Sequence, residues 1–407
     1  MLLTLFVFLV LLSILVLIHE LGHFLVAKKL NIKVEEFGFG LPPRLWGIKK
    51  GETIYSINWL PIGGFVKLFG EDDAGKGDIS GIKYQVASIK KDKKIHDTKY
   101  KLHNTDLKRA FFARPVWQRA AVVGAGVIMN CLLAIVIFYT YMFVSGFRAE
   151  LPLLSPYHFI GVTQTTKEQI LVSAVAKNSP ASQAGLPVGV EITKLNGQQI
   201  TSLTTFIADI KADAGKKVVL TLVDPASQKS STKTITPRSN PPKGQGALGV
   251  GLYDMSTAVL DYQTPTQKIL SGVIHPINLL FYNLDLIGQL IHSAIKTHDA
   301  TALGEGVSGP VGIYSVVGAI VQIPNLKEQT LQLLNLAGLL SISLAFFNVL
   351  PIPALDGGRL FFILIEGITR KKVNPRFETM AHTIGMGVLL LLILLITFKD
   401  ILQFIIH

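Results

Sequence analysis

His19, Glu20 and His23 stand together in one run, His19-Glu20-Leu21-Gly22-His23. On a helix, two imidazoles four residues apart share a face and can grip one Zn²⁺, with the glutamate between them placed as a general base. Such a pair needs a third protein ligand and an open fourth position for water. The candidate is Asp356, in Asn348-Val349-Leu350-Pro351-Ile352-Pro353-Ala354-Leu355-Asp356-Gly357-Gly358-Arg359. An aspartate between apolar segments has two plain uses, capping the helix from Gly357 or pairing with Arg359. With two histidines awaiting a partner, metal ligation is the stronger reading. The chemistry predicted is metal-assisted hydrolysis of a peptide bond.

The elements that must position these groups read as membrane. Met1 to Ile18 has no charged side chain and is almost wholly Leu, Val, Ile and Phe. The first span is therefore expected over 1–30, carrying the His-Glu pair at membrane depth, where ionisable groups are costly and usually functional. Further spans are expected at 115–146, at 329–369 (broken by Pro351 and Pro353) and at 377–399. The stretch 263–325 is apolar but interrupted by Pro276 and Asp285, and is expected to lie along the surface as an amphipathic region, with a fifth span over 266–295 as the alternative. His275 and His292 within it have no ligand spacing.

Charge sets an expected orientation. From Ala27 to Arg119 there are 19 Lys and Arg against 10 Asp and Glu, whereas from Ser145 to Thr330 the count is 14 against 12. The positive-inside rule then places the first region, and the Arg370-Lys371-Lys372 cluster, in the cytoplasm and the second region outside. The lysines border spans, so no nucleic-acid partner is expected. One cysteine, Cys131, excludes a disulfide framework and a cysteine-based metal site.

Two further modules are legible. Within the cytoplasmic region 31–114, Thr53 to Phe69 has two strand-like runs flanking Pro61-Ile62-Gly63-Gly64, a hairpin signal too apolar for an ordinary cytosolic loop. Beside the active site it would offer an edge for an extended substrate, with Val66 at an outward-bonding position. The Lys-rich insertion 75–109, with His96 and His103, reads as solvated and without chemistry. Residues 161–238 read as a small α/β module, with strands at Ile170–Val175, Glu191–Leu195 and Lys217–Val223 and a helix at Ser202–Ala212. Its run Ser179 to Leu186, followed by Gly189-Val190-Glu191-Ile192 and Leu195-Asn196-Gly197, is similar to a PDZ domain. Such a module binds a peptide or an exposed C-terminus.

Together, the HELGH run, Gly126 to Asn130 as GxxxN in the second span, the PDZ-like insert and NxxPxPxLDGG resemble the site-2 protease family, in its bacterial RseP-type branch. The resemblance spans nearly the whole chain. It implies His19, His23 and Asp356 as zinc ligands and Glu20 as catalytic base. It implies a substrate path bordered by Asn348, Pro351 and Pro353, with Gly63, Gly64 and Phe65 of the hairpin and Asn130 also contacting substrate. Phe37-Gly38-Phe39-Gly40 with Pro42 fits the family's turn after the first span. A single PDZ-like module, where several relatives carry two, and the Lys-rich insertion depart from the pattern.

The expected architecture is a polytopic α-helical membrane protein of about four transmembrane helices, with a membrane-associated β-hairpin and one inserted α/β PDZ-like domain. The expected function is zinc-dependent cleavage of single-span membrane proteins within the bacterial cytoplasmic membrane, the active site toward the cytoplasm and the PDZ-like domain outside. A catalytically silent PDZ-bearing scaffold and a metal transporter are the alternatives from other classes.

Overall fold

The structure is a computed structural model, describing residues 1–71, 107–224, 229–297 and 308–406. Nearly all of the Lys-rich insertion, with His96 and His103, lies outside the described residues. The chain divides into two compact units, Met1–Val144 with Ser271–His407, and Ser145–Leu270.

The first unit is helical around one small sheet. Helix α1 (Leu2–Lys29) is apolar on every side, as a helix surrounded by lipid and protein must be. Helix α2 (Val116–Ser145) packs tightly on it, because Gly22 lies against the Ala125 carbonyl with no room for a Cβ. Among the described residues, five helices are long and apolar enough to cross a membrane: Leu2–Lys29, Val116–Ser145, Pro265–Thr297, Leu326–Val349 and Arg376–Leu402. The third of these is the stretch expected along the surface. It forms one 33-residue helix running through Pro276, α5 (Pro265–Thr297). Its Gly272 meets Tyr139 of α2, and its fully buried His275 stacks on Tyr141, ring centroids 5.8 Å apart. The ring lies between Phe138 and Tyr141 of α2, 5.2 and 5.8 Å from their centroids.

The small sheet corrects the expected hairpin. Strands β1 (Val34–Lys50) and β2 (Thr53–Leu68) turn into each other at Gly51-Glu52, where Lys50 pairs with Thr53. The two runs flanking Pro61–Gly64 do not pair with one another. Residues 36–39 of β1 lie between them, Phe37 opposite both Tyr55 and Val66 and Phe39 opposite both Ile57 and Gly64. Phe37 to Gly40 is thus strand rather than turn. The sequence displays two matched aromatic runs but not the third strand that separates them. Charge pairing holds the sheet's turn to α1 and to the segment before α2: Arg109 and Lys28 both bond Glu52, which holds its carboxyl down to about 2, chiefly through the Arg109 hydrogen bond.

The second unit is a seven-stranded antiparallel sheet in the order β3 (Arg148–Leu153), β9 (Val250–Asp261), β4 (Thr163–Val175), β5 (Glu191–Leu195), β7 (Val218–Val223), β8 (Ser230–Ile235), with β6 (Gln198–Gln199) on β5. Short helix α3 (Pro180–Gln183) starts on a Ser179 cap, and α4 (Leu203–Ala212) on a Ser202 cap. Ile170, Val172, Ile192, Leu220 and Leu222 of the sheet bury against Phe206 and Ile210 of α4. The unit is wider than 161–238 because β9 pairs with β4 along Thr163–Val175 and with β3 beyond it.

Helices α6 (Pro310–Val321), α7 (Leu326–Val349), α8 (Asp356–Thr369) and α9 (Pro375–Ile406) complete the first unit. The expected third segment is thus two helices, α7 and α8, separated at the prolines. Asp400 of α9 accepts the Gly309 and Gly312 N–H groups, each at 2.9 Å, and so ties α9 to the start of α6.

Candidate active site

The helical period alone puts His19 and His23 on one face of α1, and that face turns toward α2. Their rings meet edge to face with the two Nε2 atoms 3.2 Å apart. Asp356, at the first turn of α8, brings Oδ2 to 2.9 Å from His19 Nε2 and 3.1 Å from His23 Nε2. Three donor atoms at such spacing suit three corners of a tetrahedron about one Zn²⁺, where bonds of about 2.0–2.1 Å set corners roughly 3.3 Å apart. Glu20 also reaches within 4.8 Å of the imidazole nitrogens. Its carboxylate is engaged elsewhere, however, while the Asp356 oxygen stands between the two rings.

The partners behind the rings set their tautomers. His23 Nδ1 lies 2.8 Å from the Val122 carbonyl, which can only accept, so Nδ1 carries a proton and Nε2 is the nitrogen left to serve a metal. Behind His19 stands the fully buried Asn130, its Nδ2 3.2 Å from His19 Nδ1 and its Oδ1 buried without a partner. With that amide turned over, Oδ1 would accept from a His19 Nδ1–H and leave His19 Nε2 as the nitrogen facing His23 and Asp356. Ser341 of α7 donates to the Asn130 carbonyl at 2.9 Å, holding this part of α2 in place. One turn before Asn130, Gly126 supplies the floor: a Cβ there would overlap His23 Nε2 and sit 2.7 Å from His19 Cε1. The GxxxN spacing is therefore one residue that makes room for the rings and one that orients them.

Asp356 reaches the histidines because the chain doubles back before it. Pro351 and Pro353 end α7, and the next residues fold over the first turn of α8. Gly357 fits against the Leu350 carbonyl and Gly358 against Ile352 and Pro353, neither with space for a side chain. Of the other residues in this run, Pro351 is exposed, Pro353 half-buried and Asn348 buried.

The sheet covers the other side of Glu20. Ser13 donates to the Pro61 carbonyl at 3.0 Å, Gly63 lies over Val16 with φ +76°, and a Cβ on Gly64 would stand 3.7 Å from Glu20 Cγ. Phe65 follows, half-buried and opposite Gly38. The Val66 N–H, expected to point outward, donates to Glu20 Oε2 at 3.1 Å. Two positions on, the Leu68 N–H reaches Glu71 Oε2 at 3.4 Å, and Glu71 also pairs with Arg359 of α8. The outer row of β2 thus already faces two carboxylates of its own chain.

Sequence reading gave one participant the wrong partner and missed another. The first is the Val66 amide, expected at an open substrate edge and found on Glu20. The other is His382 of α9, whose signal was a lone imidazole in an apolar span; its Nδ1 accepts the Ala354 N–H at 2.9 Å.

Two imidazole Nε2 atoms and one carboxylate oxygen converging on a point are the three-protein-ligand donor set of a hydrolytic zinc site, so the residues fit the metal. Comparison with known proteins agrees. The chain is 33% identical to a putative zinc metalloprotease of Clostridium perfringens over 96% of each chain. It is 28% identical to the Regulator of sigma-W protease RasP of Bacillus subtilis over 98% of each. A zinc metalloprotease RasP of Bacillus licheniformis is also 28% identical over 98% of each. The model of peptidase family M50 matches residues 7–392. With its long apolar helices and the HExxH pair buried among them, the chain is a multi-pass membrane protein that belongs to peptidase family M50, the site-2 proteases.

Proposed function

We propose that the chain is a zinc-dependent endopeptidase of the bacterial cytoplasmic membrane that cuts single-span membrane proteins within their transmembrane segments. The meeting of His19, His23 and Asp356, with Glu20 beside them on an apolar helix, carries this reading. These three residues hold the metal and Glu20 is the base. An ion held there by His19, His23 and Asp356 would supply Lewis-acid chemistry, bringing the pKa of a water toward about 7 and polarising the scissile carbonyl. Glu20, steadied by the Val66 amide, takes the proton of the attacking water and returns it to the leaving nitrogen. Asn130 acts behind His19 as an orienting partner, while Asn348, Pro351 and Pro353 border the substrate. A silent scaffold would have no use for this constellation.

A transmembrane helix shields its carbonyls in its own hydrogen bonds, so the substrate must unwind locally, exposing groups that hydrocarbon cannot satisfy. The edge of β2 can pair with them. The unit containing 161–238, PDZ-like in its Ser179–Leu186 run, would bind a peptide or a free C-terminus on the outer side, with the active site opening toward the cytoplasm. Reporters fused at Lys229 and Lys371 should then read external and cytoplasmic; the same side for both would exclude this orientation. The central test is mapping of product ends from a purified single-span substrate. Ends inside the apolar segment are expected, and cuts confined to its soluble flanks would refute the proposal.

The Val66 contact sets what a proline there should do. Val66→Pro removes an N–H that serves the catalytic carboxylate as well as the substrate edge. Turnover should fall about 10–100-fold, the worth of one hydrogen bond to a charged group. The fall should be similar for stable-helix substrates and for those weakened by glycine near the cut. A loss confined to stable helices would show that Val66 serves only substrate pairing.

A further inference from the structure

The aspartate of the site is delivered by a loop poor in hydrogen-bond donors. Pro351 and Pro353 have no N–H, Ile352 bonds back to Leu350, and Leu355 bonds back to Ile352. Ala354 is the exceptional residue: its φ is +81°, a left-handed conformation that costs a residue with a Cβ about 1–2 kcal/mol. It stands two positions before Asp356, and its N–H goes out of the loop altogether, to His382 Nδ1 at 2.9 Å.

His382 is held for that contact. As the acceptor its Nδ1 has a lone pair, and its ring lies 5.7 Å from that of Phe362 on α8, tilted by 62°. One turn further along α9, Gly385 lies so close to the loop that a Cβ would stand 2.6 Å from the Pro353 carbonyl oxygen. One face of α9 therefore grips both Pro353 and Ala354. The same histidine lines a cavity of about 650 Å³ whose wall includes Asp356, Arg359 and Glu378.

We propose that His382 is a positioning residue of the hydrolytic site: by accepting the Ala354 N–H it fixes the left-handed turn, and so fixes where Asp356 stands relative to His19 and His23. The inference rests on the reading of Asp356 as a metal ligand. Groups that orient a ligand from behind typically alter metal affinity or activity by about 10–100-fold.

The test uses the full-length protein in detergent and separates the hydrogen bond from the ring. Asn Oδ1, like His Nδ1, is bonded to Cγ, so His382→Asn keeps an acceptor in place but loses the ring. His382→Phe keeps a ring against Phe362 but has no acceptor. Zinc retention against a titrated chelator, kcat and KM on a transmembrane peptide, and the thermal midpoint are measured for both. His382→Phe should lose zinc at about 10–100-fold lower chelator concentration and lose kcat similarly, with KM and midpoint near wild type. His382→Asn should recover most of both losses. Equal losses in the two variants, wild-type behaviour in both, or a functional Phe beside an impaired Asn would each overturn the proposal. Asp356→Ala, measured alongside, distinguishes the underlying reading: if it retains zinc like wild type, the ligand assignment has failed, whatever His382 does.

Discussion

Glu20→Gln is expected to leave zinc at one ion per chain while lowering turnover by about 10²–10⁴-fold, or roughly 3–5 kcal/mol of barrier. The amide is isosteric and can still accept the Val66 N–H that now reaches the carboxylate at 3.1 Å, so the sheet should stay in place over α1. What it loses is the capacity to take a proton. His19→Ala, His23→Ala and Asp356→Ala should behave differently, since each removes one of three atoms that lie within 3.2 Å of one another. Those variants should lose metal and activity together. Metal analysis beside single-turnover cleavage decides the matter: wild-type cleavage by Glu20→Gln, or loss of its zinc, would take Glu20 out of the base role.

Gly126→Ala should be nearly as damaging, although it adds only one methyl group and replaces no ionisable side chain. The new Cβ would overlap His23 Nε2 and stand 2.7 Å from both ring Cε1 atoms, so at least one imidazole has to move. The rings are held from behind by the Val122 carbonyl and Asn130, and cannot shift without breaking those hydrogen bonds. A displacement of about 1 Å at a reacting centre is worth on the order of 10²-fold in rate, and zinc affinity should fall with it. Gly124→Ala is the matched control, two residues away on the same helix with nothing within 4 Å of its Cβ position. It should keep zinc and activity, with a stability change within about 0.5 kcal/mol. If both alanines behave alike, the ring-packing account of Gly126 is wrong.

These two glycines look the same in the sequence. GxxxN marks Gly126, but why a side chain is excluded there emerges only when α1 and α2 are brought together. Val66 shows the same limit in a strand. Alternation can suggest which way its amide points, yet only the packed sheet shows that the amide meets Glu20 instead of an open edge.

What the chain determines by itself is whatever rests on short spacing and local backbone chemistry. Two histidines at i and i+4 must share a helix face; an apolar run of the length of α1 must seek lipid or protein; two prolines must end α7; and strand patterns such as Glu191–Leu195 declare themselves through alternation. The tertiary structure decides everything that joins distant segments. Asp356 comes to His19 across 337 positions, residues 36–39 enter between two runs that read as partners, β9 returns to widen the second unit, and His382 bonds the Ala354 turn. The reason is physical: local geometry follows from a few torsions per residue, whereas these meetings depend on which helices and strands can approach closely enough, and that is set by the packing of the whole chain.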